Sequence, residues 1–126
     1  MKQIIFSDAA PKAVGPYSQA VSAGHLLFIS GQLPLVPATM KIEAETVAGQ
    51  AEQVFANMKA ILNQAGLGFE HLVKTTVLLA DIRDFAAVNE VYARYFSGDF
   101  PARAAYQVAA LPLGAKVEIE AVAAFE

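Results

Sequence analysis

From Thr46 onward the apolar residues fall into step with a helix: Val47, Ala51, Val54, Phe55, Met58, Ile61, Leu62 and Ala65 recur along one face. Gly66 stands where a helix closes on a left-handed residue. Upstream the period is shorter. The runs Ser18–Ser22 and Leu26–Ser30 read as two strands joined by a tight turn at Ala23-Gly24, with Gly31 ending the second. The segment before them, "AAPKAVGPYSQ", reads as a loop because of Pro11, Gly15 and Pro16, and "LPLVPATMKI" reads as a surface loop with two prolines. "LVKTTVLLA" (Leu72 to Ala80) is rich in β-branched residues and places Val73, Thr75, Val77 and Leu79 on one side of a strand. Asp84 is suited to cap a second helix, Phe85 to about Phe96, with Phe85, Val88, Tyr92 and Tyr95 in one stripe. "SGDFP" breaks that helix. Two strands follow, about Ala102–Ala109 and Ala115–Ala123, joined by "LPLG". A short strand at Lys2–Ile5 is also compatible. The order β-β-α-β-α-β-β sets two helices against one mixed sheet, an α+β or α/β sandwich.

Alternation along the last two strands assigns their faces. Ala104, Tyr106 and Val108 share one side, as do Val117, Ile119 and Ala121, and these should meet the helices. Arg103, Ala105 and Gln107 then fall on the opposite, non-helical side with Glu118, Glu120 and Val122. The four-residue link allows either a hairpin or a hop across an intervening strand.

Composition changes this picture in one respect. Hydrophobic residues make up 56% of the 126-residue chain and charged ones only 17%, against a usual apolar content of about 45–50%. One domain over residues 1–126 cannot hide that much apolar surface by itself, so a homo-oligomer is expected. Nine Lys and Arg against 12 Asp and Glu give a net charge of −3 with no basic run, which argues against nucleic acid as a partner. With no cysteine there is neither a disulfide framework nor a thiolate metal site, and the chain suits a reducing cytoplasm. No segment approaches the roughly 20 apolar residues of a membrane span, and the N-terminal apolar patch is too short for a secretory signal.

The polar residues inside apolar runs are the candidates for chemistry. Arg103 in "FPARAAYQVAALP" needs an anion. Two readings are open: an internal ion pair with Glu118 or Glu120, or a bidentate clamp for a carboxylate or phosphate. Glu120 is either a solvated strand residue or a carboxylate beside an apolar pocket, able to exchange protons with water. Ser30 and Gly31 end a strand, where a hydroxyl and backbone N–H groups can bind anionic oxygens or simply form a turn. Tyr17 lies in a loop. Asn89 sits at the edge of the second helix's stripe, where a local hydrogen bond is the ordinary expectation. There is no G-x-S-x-G elbow, no dinucleotide fingerprint at Gly66-Leu67-Gly68 and no metal-ligand spacing, so no metal site is expected.

Four segments together, "VGPYSQAV" (Val14–Val21), "FISGQLP" (Phe28–Pro34), "FAAVNEVYARYF" (Phe85–Phe96) and "PARAAYQVAALPLGAKVEIEAVA" (Pro101–Ala123), resemble in order and spacing the reactive intermediate deaminases, the RidA or YjgF family. The resemblance spans almost the whole chain. It implies a chorismate-mutase-like α+β sandwich: a mixed sheet, two helices on one face, and the Leu72–Ala80 strand between the last two strands. It also implies a homotrimer whose sheets pack together, with clefts between subunits. The implied activity is hydrolysis of 2-imino acids and enamines, such as 2-iminobutyrate and 2-iminopropionate, to 2-oxo acids and ammonia, without a cofactor. Arg103 would pair with the substrate carboxylate, and Glu120 would position or activate water. Tyr17, Ser30, Gly31 and Asn89 would line the pocket. Ala105 stands where many members carry cysteine or threonine, so only its backbone is left to contact ligand. Val36 and Met40 depart from the Asp and Gly common in the family. A non-catalytic trimer that binds small carboxylic acids is the alternative. An endoribonuclease or translation-inhibiting role, also assigned within the family, ranks behind both because of the acidic balance and the missing histidine pair.

Overall fold

Thr46 opens the first helix by accepting a hydrogen bond from the Gly49 N–H at 3.1 Å. The helix, α1, runs Val47–Gln64 and buries Ala51, Val54, Phe55, Met58, Ile61 and Leu62. Gly66 follows with φ of 77°. In the computed structural model, which describes residues 1–126, α1 lies on a six-stranded sheet built from β1 (Gln3–Ile5), β2 (Ala20–Ala23), β3 (Leu26–Gln32), β6 (Leu72–Leu79), β7 (Ala102–Gln107) and β8 (Val117–Ala124). A separate ribbon, β4 (Leu35–Val36) and β5 (Lys41–Ile42), precedes α1. The second helix, α2, spans Phe85–Ala93. The strand order is β1-β2-β3-β8-β6-β7. Every pair is antiparallel except β6 with β7, so "LPLG" hops over β6 as the resemblance implied. Both helices cover one face of this mixed sheet, the α+β sandwich expected. Leu27, Ile29, Val77, Leu79, Val117, Ile119, Ala121 and Ala123 meet them in one core. Phe55 stacks on Tyr95 at 4.4 Å and meets Tyr92 edge-on at 5.7 Å, which joins α1 to the α2 side. No helix is long and apolar enough to cross a membrane.

The structure departs from the sequence reading in several places. The first hairpin turns at Gly24 and His25 rather than Ala23-Gly24, and Ser18 lies outside β2. The expected loop "LPLVPATMKI" contains the β4–β5 ribbon, with Met40 left-handed at its corner (φ 57°). Two-residue strands are too short to leave a periodic signal. On β6, a register shift between Leu72 and Lys74 throws Val73 outward and buries Leu72. Asp84 makes no capping bond; Asp81 caps a preceding 3-10 turn by accepting from the Arg83 N–H. Helix α2 ends at Ala93, and its buried stripe is Val88, Val91 and Tyr92, with Phe85 at the margin.

The largest correction concerns β7. In register, Arg103 lies beside Thr75, Ala105 beside Val77 and Gln107 beside Leu79. Those β6 residues pair in turn with Ala121, Ile119 and Val117, all core residues. Neighbours in register share a face. Arg103 and Ala105 therefore point to the helical side, and Ala104 and Tyr106 to the open side. Alternating alanines cannot announce a face, because alanine fits either.

Candidate active site in two halves

Arg103 emerges at the sheet edge beside α2. Its Nη1–H donates to Asn89 Oδ1 at 2.7 Å. The guanidinium carbon lies 4.9 Å from the Tyr92 ring centroid and 5.3 Å from that of Phe85, a cation–π seat that holds the plane of the fork. No carboxylate pairs with it; the ion pairs of the chain are His71 with Glu70 and Glu126, Arg83 with Asp81, and Arg94 with Glu52 and Glu90. Beside it opens a cavity of about 360 Å³ lined by Asn89, Tyr92, Ala93, Phe100, Pro101 and Arg103. Tyr92 is fixed from behind by a 2.7 Å hydrogen bond between its hydroxyl and Thr75 Oγ1. Burial pushes that phenol's pKa up against smaller opposing effects of Thr75 and Arg103, so it stays neutral. Ala105 is half-buried against the core and brings no polar side chain.

Tyr17, Ser30 and Gly31 gather elsewhere. With Val14, Leu33, Pro112 and Glu118 they line a second cavity, also about 360 Å³. Its loop is held by Gln19, whose buried amide accepts the Ser7 N–H at 2.7 Å and donates to the Pro11 carbonyl at 2.8 Å. Ser30 Oγ donates to the Ser18 carbonyl at 2.6 Å, and the Tyr17 hydroxyl accepts the Val14 N–H at 3.4 Å. Asn57 of α1 donates to the carbonyls of Leu33 and Leu35, which pins the other wall. Glu118 is half-buried, and that burial, with the nearby charge of Glu120, raises its pKa above the ordinary glutamate value. Glu120 is exposed on the open face opposite Thr76 and is not among the cavity's lining residues.

Within one chain, then, Arg103, Asn89 and Ala105 belong to the helical side, and Glu118 and Glu120 to the open side. The expectation that Arg103 and Glu120 share a face is overturned by the β6–β7 register. Asn89 bonds across to β7 rather than locally. Sequence reasoning missed Tyr92 and Phe100 at the arginine cavity, and Glu118, Gln19 and Asn57 at the other. The repeated carboxylate of "EIE" was the one signal that pointed to Glu118; buried amides in loops leave none.

The family model described as Endoribonuclease L-PSP matches residues 7–125. Protein DfrA of Myxococcus xanthus is 57% identical over 124 residues, covering 97% of this chain and 95% of that protein. The 2-iminobutanoate/2-iminopropanoate deaminase of Homo sapiens is 53% identical over 123 residues, covering 98% and 90%. The crystal structure of RidA from an Antarctic Psychrobacter superposes with a TM-score of 0.94 at 51% identity, covering 98% of this chain and 99% of that one. The chain that bares an arginine on one sheet face and a carboxylate pair on the other thus belongs to the Endoribonuclease L-PSP family, that of the RidA and YjgF proteins.

Proposed function

We propose that this protein hydrolyses small 2-imino acids and their enamine tautomers to 2-oxo acids and ammonia without a cofactor; its human relative is named a 2-iminobutanoate/2-iminopropanoate deaminase. The observation that carries the reading is Arg103: a guanidinium oriented by Asn89 and two rings, paired with no acid, beside an open cavity. Such a fork is left with donors for a planar carboxylate.

Because the two halves lie on opposite faces of one chain, the working site needs a second copy. We place it at the clefts of a homotrimer, with Arg103, Asn89 and the Ala105 backbone of one subunit facing Tyr17, Ser30, Gly31 and Glu120 of the next. The uncovered sheet face, with Phe28 at 45% and Tyr106 at 49% exposure, supports such packing. Arg103 holds the substrate carboxylate. Water attacks the electrophilic C2 carbon while Glu120 accepts its proton and later returns it to the departing nitrogen. Uncatalysed hydrolysis is already fast, so positioning and proton transfer need to lower the barrier by only about 3–6 kcal/mol. Substrate would come from pyridoxal-phosphate enzymes that release such imines in the cytoplasm.

The test is a threonine dehydratase supplied with L-threonine, with semicarbazide as imine trap. Added protein should speed 2-oxobutyrate release and reduce trapping; no effect on either refutes the activity. Glu120→Ala separates catalyst from binder: a catalyst loses turnover and keeps its affinity for 2-oxobutyrate. The ribonuclease of the family description finds less support here, since both histidines lie outside the two cavities, His25 in the first hairpin turn and His71 bonded to Glu126.

A further inference from the structure

Away from both halves of the site, the 3-10 turn Phe69–His71 meets the end of α1 and the chain that follows α2. Between them lies a cavity of about 380 Å³, which shares no lining residue with the cavities of Arg103 and of Tyr17. Its wall is aromatic. The rings of Tyr95 and Phe96 stand 5.2 and 6.1 Å from that of Phe69, and all three pack against the core. Its polar lining carries charges of both signs: Lys59 from α1, Glu70 from the turn and Asp99 from the loop. The Glu70 carboxylate is folded over Gly68, which also lines the cavity. A Cβ at 68 would overlap one of its oxygens and lie 3.0 Å from the carboxyl carbon. None of the three charges pairs with another. Glu70 approaches only His71, at 3.9 Å, while nearby on the same helices Arg94 closes onto Glu52 at 3.1 Å.

We propose that this cavity is a second ligand site, one for a free α-amino acid with an apolar side chain. The volume falls at the low end of ligand pockets, which run about 300–1,000 Å³, and suits a small metabolite rather than a peptide. Three rings offer an apolar side chain a surface on which both lose contact with water. A zwitterion then answers the charges that the chain leaves unpaired: its carboxylate meets Lys59, and its ammonium meets Glu70 and Asp99. A plain carboxylic acid would face two acids with one lysine to hold it. A plain amine would leave Lys59 without a partner. The site uses none of the residues placed in the imine reaction, so it stands apart from the deaminase reading. Phe96 does touch Phe100, a wall of the arginine cavity, with ring centroids 5.8 Å apart. Arg103 could itself take an amino acid's carboxylate, and the experiment has to separate the two cavities.

The probe is L-phenylalanine, titrated to millimolar concentration against the whole protein and followed in nitrogen-15 amide spectra. Saturable shifts should centre on Gly68 to Glu70 and Tyr95 to Asp99. Lys59→Met and Asp99→Asn, both at exposed positions, should each weaken binding about 10-fold or more, the worth of one charge-assisted contact. Gly68→Ala, which displaces the Glu70 carboxylate, should weaken it too. Arg103→Ala should bind like wild type. Two analogues read the zwitterion directly: 3-phenylpropionate lacks the ammonium and 2-phenylethylamine lacks the carboxylate, and both should bind about 10-fold or more weakly than L-phenylalanine. The absence of saturable shifts in these segments overturns the proposal. So does binding that survives Lys59→Met and Asp99→Asn but is lost in Arg103→Ala, which would put the amino acid in the arginine cavity. Equal affinity for either analogue overturns the assignment to an amino acid.

Discussion

Arg103 makes one hydrogen bond and two ring contacts within the chain, and no group of the chain takes up its remaining donors. Lysine would preserve the charge and lose the planar fork. Arg103→Lys should cut kcat/KM in the dehydratase assay by about 10–100-fold, the worth of about 1.5–3 kcal/mol for a hydrogen bond to a charged group, and weaken 2-oxobutyrate binding in parallel. Gly31 acts by being absent. Gly31→Ala should displace the Glu118 carboxyl from the cavity of Tyr17 and Ser30 and leave Arg103 in place, which a crystal structure of the variant would check. Glu118 also carries a stability signature. Its folded-state pKa is raised, so its contribution is fully present below the unfolded value and is lost as pH rises through the folded one. Glu118→Gln should therefore be the more stable protein at pH 8 by thermal melting, and that advantage should vanish at about pH 4, near the ordinary glutamate pKa.

Between elements, the Thr75–Tyr92 bond couples β6 to α2 just behind the arginine cavity. Thr75→Val leaves a buried phenol without its partner and should cost about 1–3 kcal/mol in urea unfolding. Adding Tyr92→Phe removes both polar groups and should return most of that loss, since an apolar pair of similar shape is nearly neutral. The elements themselves were legible where the pattern was long. The eighteen residues of α1 and the β-branched run of β6 could be read from spacing. The β4–β5 ribbon could not, because each strand is two residues. Nor could the bulge at Val73, which depends on how β8 pairs rather than on local composition.

Over the whole molecule, an apolar-rich chain has covered only one face of its sheet. Phe28 lies across from Val122 on the bare side. On the proposed trimer, Phe28→Glu should leave the core intact by circular dichroism and give a monomer in light scattering, with loss of deaminase activity, because each half-site would then lack its complement. A wild type that is already monomeric at micromolar concentration would refute the assembly.

The sequence by itself determined the two helices, the order of most strands, the excess of apolar surface and Arg103 and the two carboxylates of Glu118 and Glu120 as charges set among apolar neighbours. These follow from local periodicity and from the energetic anomaly of charge among apolar neighbours. Only the tertiary structure decided which face each of them occupies, that Asn89 and two rings hold the arginine, and that Glu118 is the carboxyl seated over Gly31. Those depend on strand register and on side-chain distances between segments far apart in the chain, and a run of alanines or a lone glycine carries no local trace of either.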